Sequence, residues 1–351
     1  MRPALYIHIP FCLGKCAYCD FASYPGRADV WDAYFATLDR ELSGWIDLVG
    51  GAFSTVFIGG GTPSVVPARY IAALARRVRT GEFTIEANPG TLTREKLCAY
   101  LDSGVNRLSM GVQAFDDALL ARIGRLHTAE DARRAFDLAR AAGFQNISLD
   151  LMYALPGQTM AQWAHTLDCA AALAPEHLSA YSLIVEPGTP IANWAKPFDE
   201  DLIVRMQRHA TRRLAGAGYA RYEISNYARP GYECAHNVNY WTRGDYIGIG
   251  CAAHSLYGGA RFANPASLDE YLAGARRVDE SLLTPQDAVE ETVLLGTRMT
   301  RGIPLTALPD ERAARTLVNQ GFAQLRGGQF SLTERGLELQ NAAVQKLLED
   351  V

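Results

Sequence analysis

The stretch Tyr6-Ile-His-Ile-Pro-Phe-Cys12-Leu-Gly-Lys-Cys16-Ala-Tyr-Cys19 joins an apolar segment to three closely spaced cysteines. The apolar residues from Leu5 to Ile9 predict a β-strand, so the cysteines follow in a loop at its carboxyl end. Thiolates at the spacing Cx3Cx2C can each reach a different corner iron of one cubane cluster. The pattern predicts an iron–sulfur site on Cys12, Cys16 and Cys19, with one iron left open for a small ligand.

Two other interpretations of the cysteines are a zinc site and three unconnected thiols. Zinc usually takes a fourth protein ligand and a paired CxxC, which favours the iron–sulfur interpretation. The total of seven cysteines is odd, and the other four are scattered along the chain, at Cys98, Cys169, Cys234 and Cys251. This pattern favours a metal site with buried thiols in a reducing compartment over a disulfide framework.

The composition is that of an ordinary globular chain of two or three domains. Hydrophobic residues make up 48% of its 351 residues, and 34 basic side chains stand against 38 acidic ones. This balance predicts neither a nucleic-acid partner nor an anionic membrane surface. The sequence has no uninterrupted apolar run of about 18 residues and no signal-peptide pattern. We therefore expect a cytoplasmic protein without stable membrane insertion.

Up to about residue 185, short apolar runs alternate with amphipathic stretches of helix length. This order predicts repeated βα units around a parallel sheet, here an α/β partial (β/α)6 barrel. The predicted strands are Leu5 to Ile9, Thr55 to Ile58, Phe83 to Glu86, Arg107 to Met110, Ile147 to Met152 and Leu178 to Ile184. The predicted helices between them span about 29–48, 67–79, 93–103, 128–142 and 159–173.

The alternation of short apolar runs with helix-length stretches ends after residue 190. A smaller, mainly helical C-terminal domain is expected there. We predict domains at 1–225 and 226–351, with helices near 200–217, 267–278 and 285–300 around an irregular Gly-, Tyr- and Asn-rich stretch. The end, with helices at 310–320 and 333–349 around a Gly-Gly hairpin from Phe322 to Leu332, resembles a winged helix. No basic stripe accompanies it, so a packing or docking module is expected instead of a DNA-binding one.

Polar or glycine residues follow several of the predicted strands. Gly60, Gly61 and Thr62 follow the second strand, and Glu86 closes the third. Gln113 follows the fourth strand, Arg125 comes twelve residues later, and Asp150 lies near the end of the fifth. A single such residue is usually a cap or a surface group, and the glycines alone could form a tight turn. Four polar side chains at successive strand ends instead favour a ligand pocket at the barrel mouth.

The cysteine triad with Tyr6 and the strand-end motifs closely resembles the radical S-adenosylmethionine (SAM) superfamily. The resemblance implies a [4Fe-4S] cluster whose open iron binds the amino and carboxylate groups of SAM, with reductive cleavage of SAM. Resemblance to the oxygen-independent coproporphyrinogen III oxidase group implies a SAM pocket. Its implied residues are Tyr6, Gly60, Gly61, Thr62, Glu86, Gln113, Arg125, Asp150 and Ile184.

Two departures from the enzymes of that group make the chain resemble another branch of it. The porphyrinogen-oxidising enzymes carry a further cysteine two positions after the third ligand, where this chain has Phe21. They also carry a long N-terminal extension, whereas eleven residues precede Cys12 in this sequence. Cys12 through Phe21 matches the CxxxCxxCxF pattern of the HemW-type haem chaperone branch. His236-Asn-Val-Asn-Tyr240-Trp241 matches the HNxxYW pattern of the same branch, for which a part in haem binding is proposed.

The residues around this second motif leave its role open. The imidazole of His236 is a competent axial ligand for haem iron, and Tyr240 and Trp241 offer apolar area for a macrocycle. A histidine satisfied within a structural loop is the alternative. Cys234 and Cys251 are either thiolate ligands or buried inert thiols. His8 either reaches a substrate beside the cluster or pairs with a carbonyl group.

Three functions are therefore compatible with the sequence. The first, favoured by Phe21 and HNxxYW, is a haem chaperone that passes haem to an acceptor protein such as a respiratory enzyme. The second is a coproporphyrinogen III dehydrogenase, which decarboxylates propionate side chains oxidatively. The third is a radical SAM enzyme for another small substrate. An electron donor such as a flavodoxin or ferredoxin is the expected reductant of the cluster.

Overall fold

The computed structural model describes residues 2–194 and 199–349. It confirms the α/β class and the six parallel strands, which lie side by side in chain order. These strands are β1 (Ala4–Ile9), β2 (Thr55–Gly60), β3 (Glu82–Ala87), β4 (Arg107–Gln113), β5 (Ile147–Tyr153) and β6 (His177–Ser182). Because they are parallel, their carboxyl ends meet at one edge, which forms the mouth of the barrel.

The five predicted crossover helices are also present, with ends shifted by a few residues. They are Trp31–Val49, Ala68–Ala75, Arg94–Asp102, Ala129–Ala142 and Met160–Ala172. Thr128 and Thr159 begin two of them with capping boxes. A further helix, Asp117–Arg122, was not predicted, because its six residues are too few to show helical periodicity.

The two faces of each strand have different chemistry, as β4 shows. One face packs on the crossover helices, and the other faces the inside of the barrel. The packed face of β4 carries Leu108, Met110 and Val112, and the inner face carries Arg107, Ser109 and Gly111. Burial of each apolar side chain stabilises the fold by about 1.5–3 kcal/mol. The inner face is polar, so the barrel encloses a place for polar chemistry.

The predicted irregular stretch contributes five more strands and the segment after it a sixth, which extend the sheet to twelve. Ala220–Arg221 and Asn226–Ala228 follow β6, while Tyr246–Ile249, His254–Tyr257, Ala260–Ala263 and Val278–Leu282 continue outward from β1. They have two to five residues each and only Tyr246–Ile249 among them pairs in parallel, so the sequence did not reveal them. The predicted division after residue 225 falls within this sheet, and the division into two domains stays a prediction.

The helices of this second part agree less closely with the sequence. Glu200–Gly216 and Pro285–Gly296 lie where helices were expected, and Ala235–Trp241 spans most of the second motif. The helix predicted at 267–278 ends at Leu272, because the chain then turns into the edge strand Val278–Leu282.

The C-terminal end has the expected helix, hairpin and helix order around its own apolar core. Glu311–Asn319 precedes the strands Ala323–Arg326 and Gln329–Leu332, to which Ile303–Pro304 adds a third strand. Gly327 and Gly328 form the two-residue turn with positive φ angles of 56° and 78°. Two short helices, Glu334–Glu338 and Gln340–Leu347, replace the single helix predicted at 333–349.

None of the helices in the described part of the chain combines the length and apolar composition that crossing a membrane requires. The outer limits of the two predicted domains, residues 1 and 351, lie outside the described residues.

Candidate functional site

A cavity of about 410 Å³ opens at the mouth of the barrel, which is enough space for a small cofactor. The predicted cluster and SAM residues that line it are Cys12, Cys16, Cys19, Gly60, Gly61, Thr62, Glu86, Gln113, Arg125 and Asp150. The structure therefore brings all three cysteines and seven of the nine predicted SAM residues together around one space.

The cysteine loop, residues 12–19, is held by backbone hydrogen bonds to neighbouring elements. Ala17 donates its N–H to the carbonyl of Ile123 at 3.0 Å, and Thr62 donates its N–H to the carbonyl of Phe11 at 2.8 Å. Within the loop, the N–H of Cys19 bonds the carbonyl of Cys16 at 3.2 Å. These contacts fix the loop across the carboxyl ends of the strands, so its thiols face the cavity.

The donor chemistry of the loop suits an iron–sulfur cluster. All seven cysteines carry free thiols. Burial raises the pKa of Cys12 and Cys19, so these thiols stay protonated until a metal displaces the proton. Within residues 2–194 and 199–349, no group of three or more His, Cys, Asp or Glu side chains could share a single metal ion. A cubane places its irons at separate corners, so thiolates that bind it need not meet at one point.

The glycines after β2 let the strand end approach the cysteine loop. A Cβ on Gly61 would lie 2.8 Å from the carbonyl oxygen of Phe11 and 3.0 Å from the sulfur of Cys12. A Cβ on Gly60, whose φ is 114°, would lie 2.6 Å from the ring of His8. A side chain at Gly61 would push the cysteine loop away from β2, and one at Gly60 would displace the His8 ring of β1. The two glycines therefore allow close approach of β2 to both segments.

Glu86 is a half-buried carboxyl group near the end of β3 that lines the cavity. One of its oxygens accepts the N–H of Gly60 at 3.1 Å. Burial raises its pKa to about 8, and the charge of Asp150 adds to the shift. The group is therefore mainly neutral at pH 7, when it can donate a hydrogen bond, and it ionises when a cation binds beside it.

Asp150 lies on the inner face of β5, where serine hydroxyls surround it. The Ser109 hydroxyl donates to its Oδ2 at 3.0 Å, and the Ser148 hydroxyl donates to its Oδ1 at 3.4 Å. Burial raises the pKa of Asp150, while these hydroxyls and the guanidinium of Arg107 oppose the shift. The charge of Arg107, which is only 2% exposed, offsets part of the cost of burying the carboxylates.

Arg125 and Gln113 connect the strand ends to the cysteine loop. One Arg125 nitrogen lies 3.7 Å from the Cys16 sulfur, and the other donates to the side-chain oxygen of Asn88 at 2.7 Å and to the carbonyl of Gly111. Gln113 has a φ of 67° beside an irregularity in strand pairing, which redirects its side chain toward the mouth. Both side chains therefore reach the cavity, Gln113 from the last position of β4 and Arg125 from twelve residues further along the chain.

Two predicted SAM residues lie elsewhere. Tyr6 is on the inner face of β1, where its hydroxyl pairs with Nδ1 of His8 at 3.0 Å and its ring stacks on Phe57. Ile184 follows β6 with its side chain 68% exposed. His8 bonds the carbonyl of Ala22 through Nε2 at 3.0 Å, which matches the carbonyl alternative. The SAM roles of Tyr6 and Ile184 stay predictions.

The cavity also contains polar side chains that sequence reasoning did not single out. Asn88 follows β3 directly, and Ser179 and Tyr181 lie on β6. The strand-end rule that found Glu86 could have found Asn88 two residues later. Asn237 lines the cavity from the HNxxYW motif, which no strand pattern could have placed there.

The helix Ala235–Trp241, here called the floor helix, closes the opposite end of the barrel. The ring of His236 stacks on Phe57 with centroids 5.1 Å apart, and its Nδ1 bonds the hydroxyl of Thr55, the first residue of β2, at 2.8 Å. Its Nε2 bonds the hydroxyl of Tyr240 at 3.0 Å. Burial lowers the pKa of His236 to about 3, so the ring is neutral. Both ring nitrogens are engaged, and haem ligation by His236 would require the Tyr240 contact to break.

The two remaining cysteines near the motif are fully buried. The Cys234 thiol lies 3.6 Å from a carboxylate oxygen of Glu82, and the Cys251 thiol donates to the carbonyl of Ala266 at 3.1 Å. Burial raises the pKa of Cys234 to about 12 and that of Cys251 to about 11. In this conformation they are neutral packed thiols.

The fold and the cavity are those of a radical SAM protein. Residues 6–170 match the model of the radical SAM superfamily, and residues 283–339 match that of the HemN C-terminal domain. The fold is similar to the solved coproporphyrinogen III oxidase HemN of Escherichia coli, with a TM-score of 0.86 over 100% of this chain and 91% of that one. The two sequences are 24% identical, so this likeness concerns the fold.

Curated relatives identify the branch. The chain is 39% identical to the heme chaperone HemW of Bacillus subtilis over 85% of this chain and 84% of the relative. It is 36% identical to the heme chaperone HemW of Lactococcus lactis over 98% of this chain and 97% of the relative. The chain therefore belongs to the HemW family within the radical SAM superfamily, and this membership implies SAM and a [4Fe-4S] cluster.

Proposed function

We propose that this protein is a haem chaperone that holds a [4Fe-4S] cluster on Cys12, Cys16 and Cys19, binds SAM beside it, and passes haem to an acceptor protein. The observation that carries the proposal is the convergence of the three thiols and the strand-end residues on one cavity. The two relatives that align with 85% and 98% of the chain carry the name heme chaperone.

The roles within the cavity follow from the chemistry of each group. The carboxyl groups of Glu86 and Asp150 suit the ammonium or the ribose hydroxyls of SAM, and the guanidinium of Arg125 suits its carboxylate. The side-chain amide of Gln113 can donate one hydrogen bond to SAM and accept another at the same time. SAM bound to the cluster is, when the cluster is reduced, a source of radical chemistry. The residues themselves bind and orient SAM.

Haem is proposed to bind through the HNxxYW motif, with Nε2 of His236 as the iron ligand. Neutral imidazole is the form that ligates iron, and burial keeps His236 neutral. The hydroxyl of Tyr240 occupies that nitrogen, so the floor helix must shift before haem binds. The acceptor protein and a flavodoxin- or ferredoxin-type reductant complete the proposed partners.

The test is a titration of the anaerobically reconstituted protein with haem, followed by the Soret band. We expect about one haem per chain and weaker binding by His236→Ala, because the axial ligand is lost. Tyr240→Phe removes the hydroxyl that competes for Nε2, so this variant should bind haem more tightly than wild type. An unchanged haem affinity in His236→Ala would exclude the His236 imidazole as the iron ligand. Cys234 and Cys251 would then be substituted in turn to test them as ligands.

A second incubation, with coproporphyrinogen III, SAM and reductant, separates the chaperone from the dehydrogenase. We expect no vinyl product and no harderoporphyrinogen, because Phe21 occupies the position of the additional cysteine. Decarboxylated product from wild-type protein would overturn the chaperone proposal.

We also propose a cytoplasmic location. A loop of reduced cysteines that must assemble a cluster is suited to a compartment in which thiols stay reduced.

A further inference from the structure

Asn88 lies between the two side chains that approach the sulfurs of Cys12 and Cys16. The hydroxyl of Thr62 is 3.8 Å from the Cys12 sulfur, and a guanidinium nitrogen of Arg125 is 3.7 Å from the Cys16 sulfur. The Asn88 amide bonds both, with Nδ2 3.0 Å from the Thr62 hydroxyl and Oδ1 2.7 Å from Arg125. A continuous hydrogen-bonded chain thus joins two of the cysteines through one amide.

The direction of every bond in this chain is fixed by donor and acceptor chemistry. A guanidinium only donates, so the Asn88 oxygen must face Arg125 and its NH2 group must face Thr62. The Thr62 oxygen therefore accepts from Asn88, which leaves its own hydrogen free to point at the Cys12 sulfur. Because an amide has one accepting and one donating end, Asn88 can fix the orientations of both Arg125 and Thr62.

The surroundings hold Asn88 in this position. Its backbone N–H donates to the hydroxyl of Ser64 at 3.2 Å, and its carbonyl accepts the hydroxyl of Thr91 at 2.7 Å. A Cβ on Gly111 would lie 3.1 Å from the Asn88 oxygen and 3.2 Å from Arg125, so the glycine leaves room for their contact. The Asn88 amide is therefore held in one position at the mouth of the barrel.

We propose that Asn88 is a positioning residue that orients Thr62 and Arg125 as hydrogen-bond donors to the sulfurs of two cluster ligands, and so raises the reduction potential of the cluster. Hydrogen bonds to ligand sulfurs favour the more negative, reduced state of a cluster. Asn88 acts through its two neighbours and needs no contact with the cluster itself. The inference rests on the proposed function, because it requires a cluster on the cysteine loop.

The decisive measurement is the midpoint potential of the reconstituted cluster, determined by redox titration with EPR detection. Asn88→Leu keeps the approximate size but removes both hydrogen bonds, so the midpoint should become more negative. Asn88→Asp can only accept, which turns the Thr62 hydrogen away from Cys12 and adds negative charge. Its midpoint should also become more negative.

A double-substitution cycle shows whether Asn88 acts through Thr62. In the Thr62→Val background the hydroxyl is already absent, so Asn88→Leu should shift the midpoint less than it does in wild type. Asn106→Leu is the matched control, because Asn106 pairs with the N–H of Phe83 and the carbonyl of Gly81 at the amino ends of the same strands. This control should keep the wild-type midpoint.

Full iron content with a wild-type midpoint in Asn88→Leu would overturn the inference. If Asn88→Leu holds too little iron for a redox titration, the midpoint potential of Asn88→Asp is the test instead. A wild-type midpoint potential in Asn88→Asp would equally overturn the inference. Iron analysis of the wild type is a separate measurement. Wild-type protein without a four-iron cluster would overturn the proposed function and this inference with it.

Discussion

At the mouth of the barrel, polar groups face an open cavity, whereas at the floor the carboxylate of Glu82 and the ring of His236 are bound to other parts of the protein. The mouth presents three free thiols, and the Glu86 carboxyl accepts a single backbone N–H. At the floor, Glu82 accepts the N–H groups of Ala235 and His236 at 2.8 and 2.9 Å, and both ring nitrogens of His236 are bonded. Groups that retain bonding capacity can take a ligand, while saturated groups stabilise the fold.

The largest expected effect is at the mouth. Cys16→Ala should remove the cluster, because two thiolates cannot anchor a cubane that needs three, and iron should fall from about four per chain to near zero. Iron and sulfide analysis after anaerobic reconstitution measures this. Cys98→Ala and Cys169→Ala are controls that should keep full iron. Full iron in Cys16→Ala would remove the basis for placing the cluster at the mouth.

The next effect concerns SAM at the same end. Asp150→Ala should weaken SAM binding by about 1.5–3 kcal/mol, roughly 10–150-fold, because a buried charge-assisted hydrogen bond is lost. Leu48→Ala should bind SAM nearly as well as wild type, since Leu48 is 62% exposed on the crossover helix Trp31–Val49 and does not line the cavity. Calorimetric titration of both reconstituted variants makes the comparison. Equal affinities would show that the cavity lining does not define the SAM site.

At the floor, the expected effect is on folding stability. His236→Ala should lower the free energy of unfolding by about 2–4 kcal/mol, because it opens a void and leaves two hydroxyls without their partner. Tyr240→Phe should cost about 1 kcal/mol, for one hydrogen bond. The exposed His165→Ala should change stability by less than about 0.5 kcal/mol. Urea unfolding of the cluster-free protein measures the three stability changes. An unchanged urea midpoint in His236→Ala would contradict the structural role of the floor helix.

The last expected effect is a pH dependence of folding stability that comes from Glu86 at the mouth. Its pKa is about 8 in the folded chain against an ordinary value of 4.5, because of burial and the charge of Asp150. Between these values the folded chain holds a proton that the unfolded chain has lost, so stability should fall as pH rises from about 5 to about 8. Glu86→Gln should reduce this fall in cluster-free protein. An identical pH profile in wild type and variant would show that Glu86 titrates normally.

The sequence predicted the six strands because short apolar runs between amphipathic stretches of helix length are local properties of the chain. It also predicted that Glu86, Gln113 and Asp150 meet, because parallel strands bring their carboxyl ends to one edge. It did not predict the six outer strands, since their short lengths give too little pattern and their partners lie far away in the chain. Nor did it identify Asn88, whose importance depends on contacts with Thr62 and Arg125 from two other loops.

By itself, the sequence determined the cysteine spacing, the branch-specific Phe21 and the residues at the strand ends, because each depends only on neighbours along the chain. Only the tertiary structure decided that HNxxYW closes the barrel floor, with Nε2 of His236 bonded to Tyr240 and Nδ1 to Thr55. Thr55 and His236 are 181 positions apart. A motif shows which groups are available for chemistry, but their partners, and so their free bonding capacity, are set by packing between distant segments.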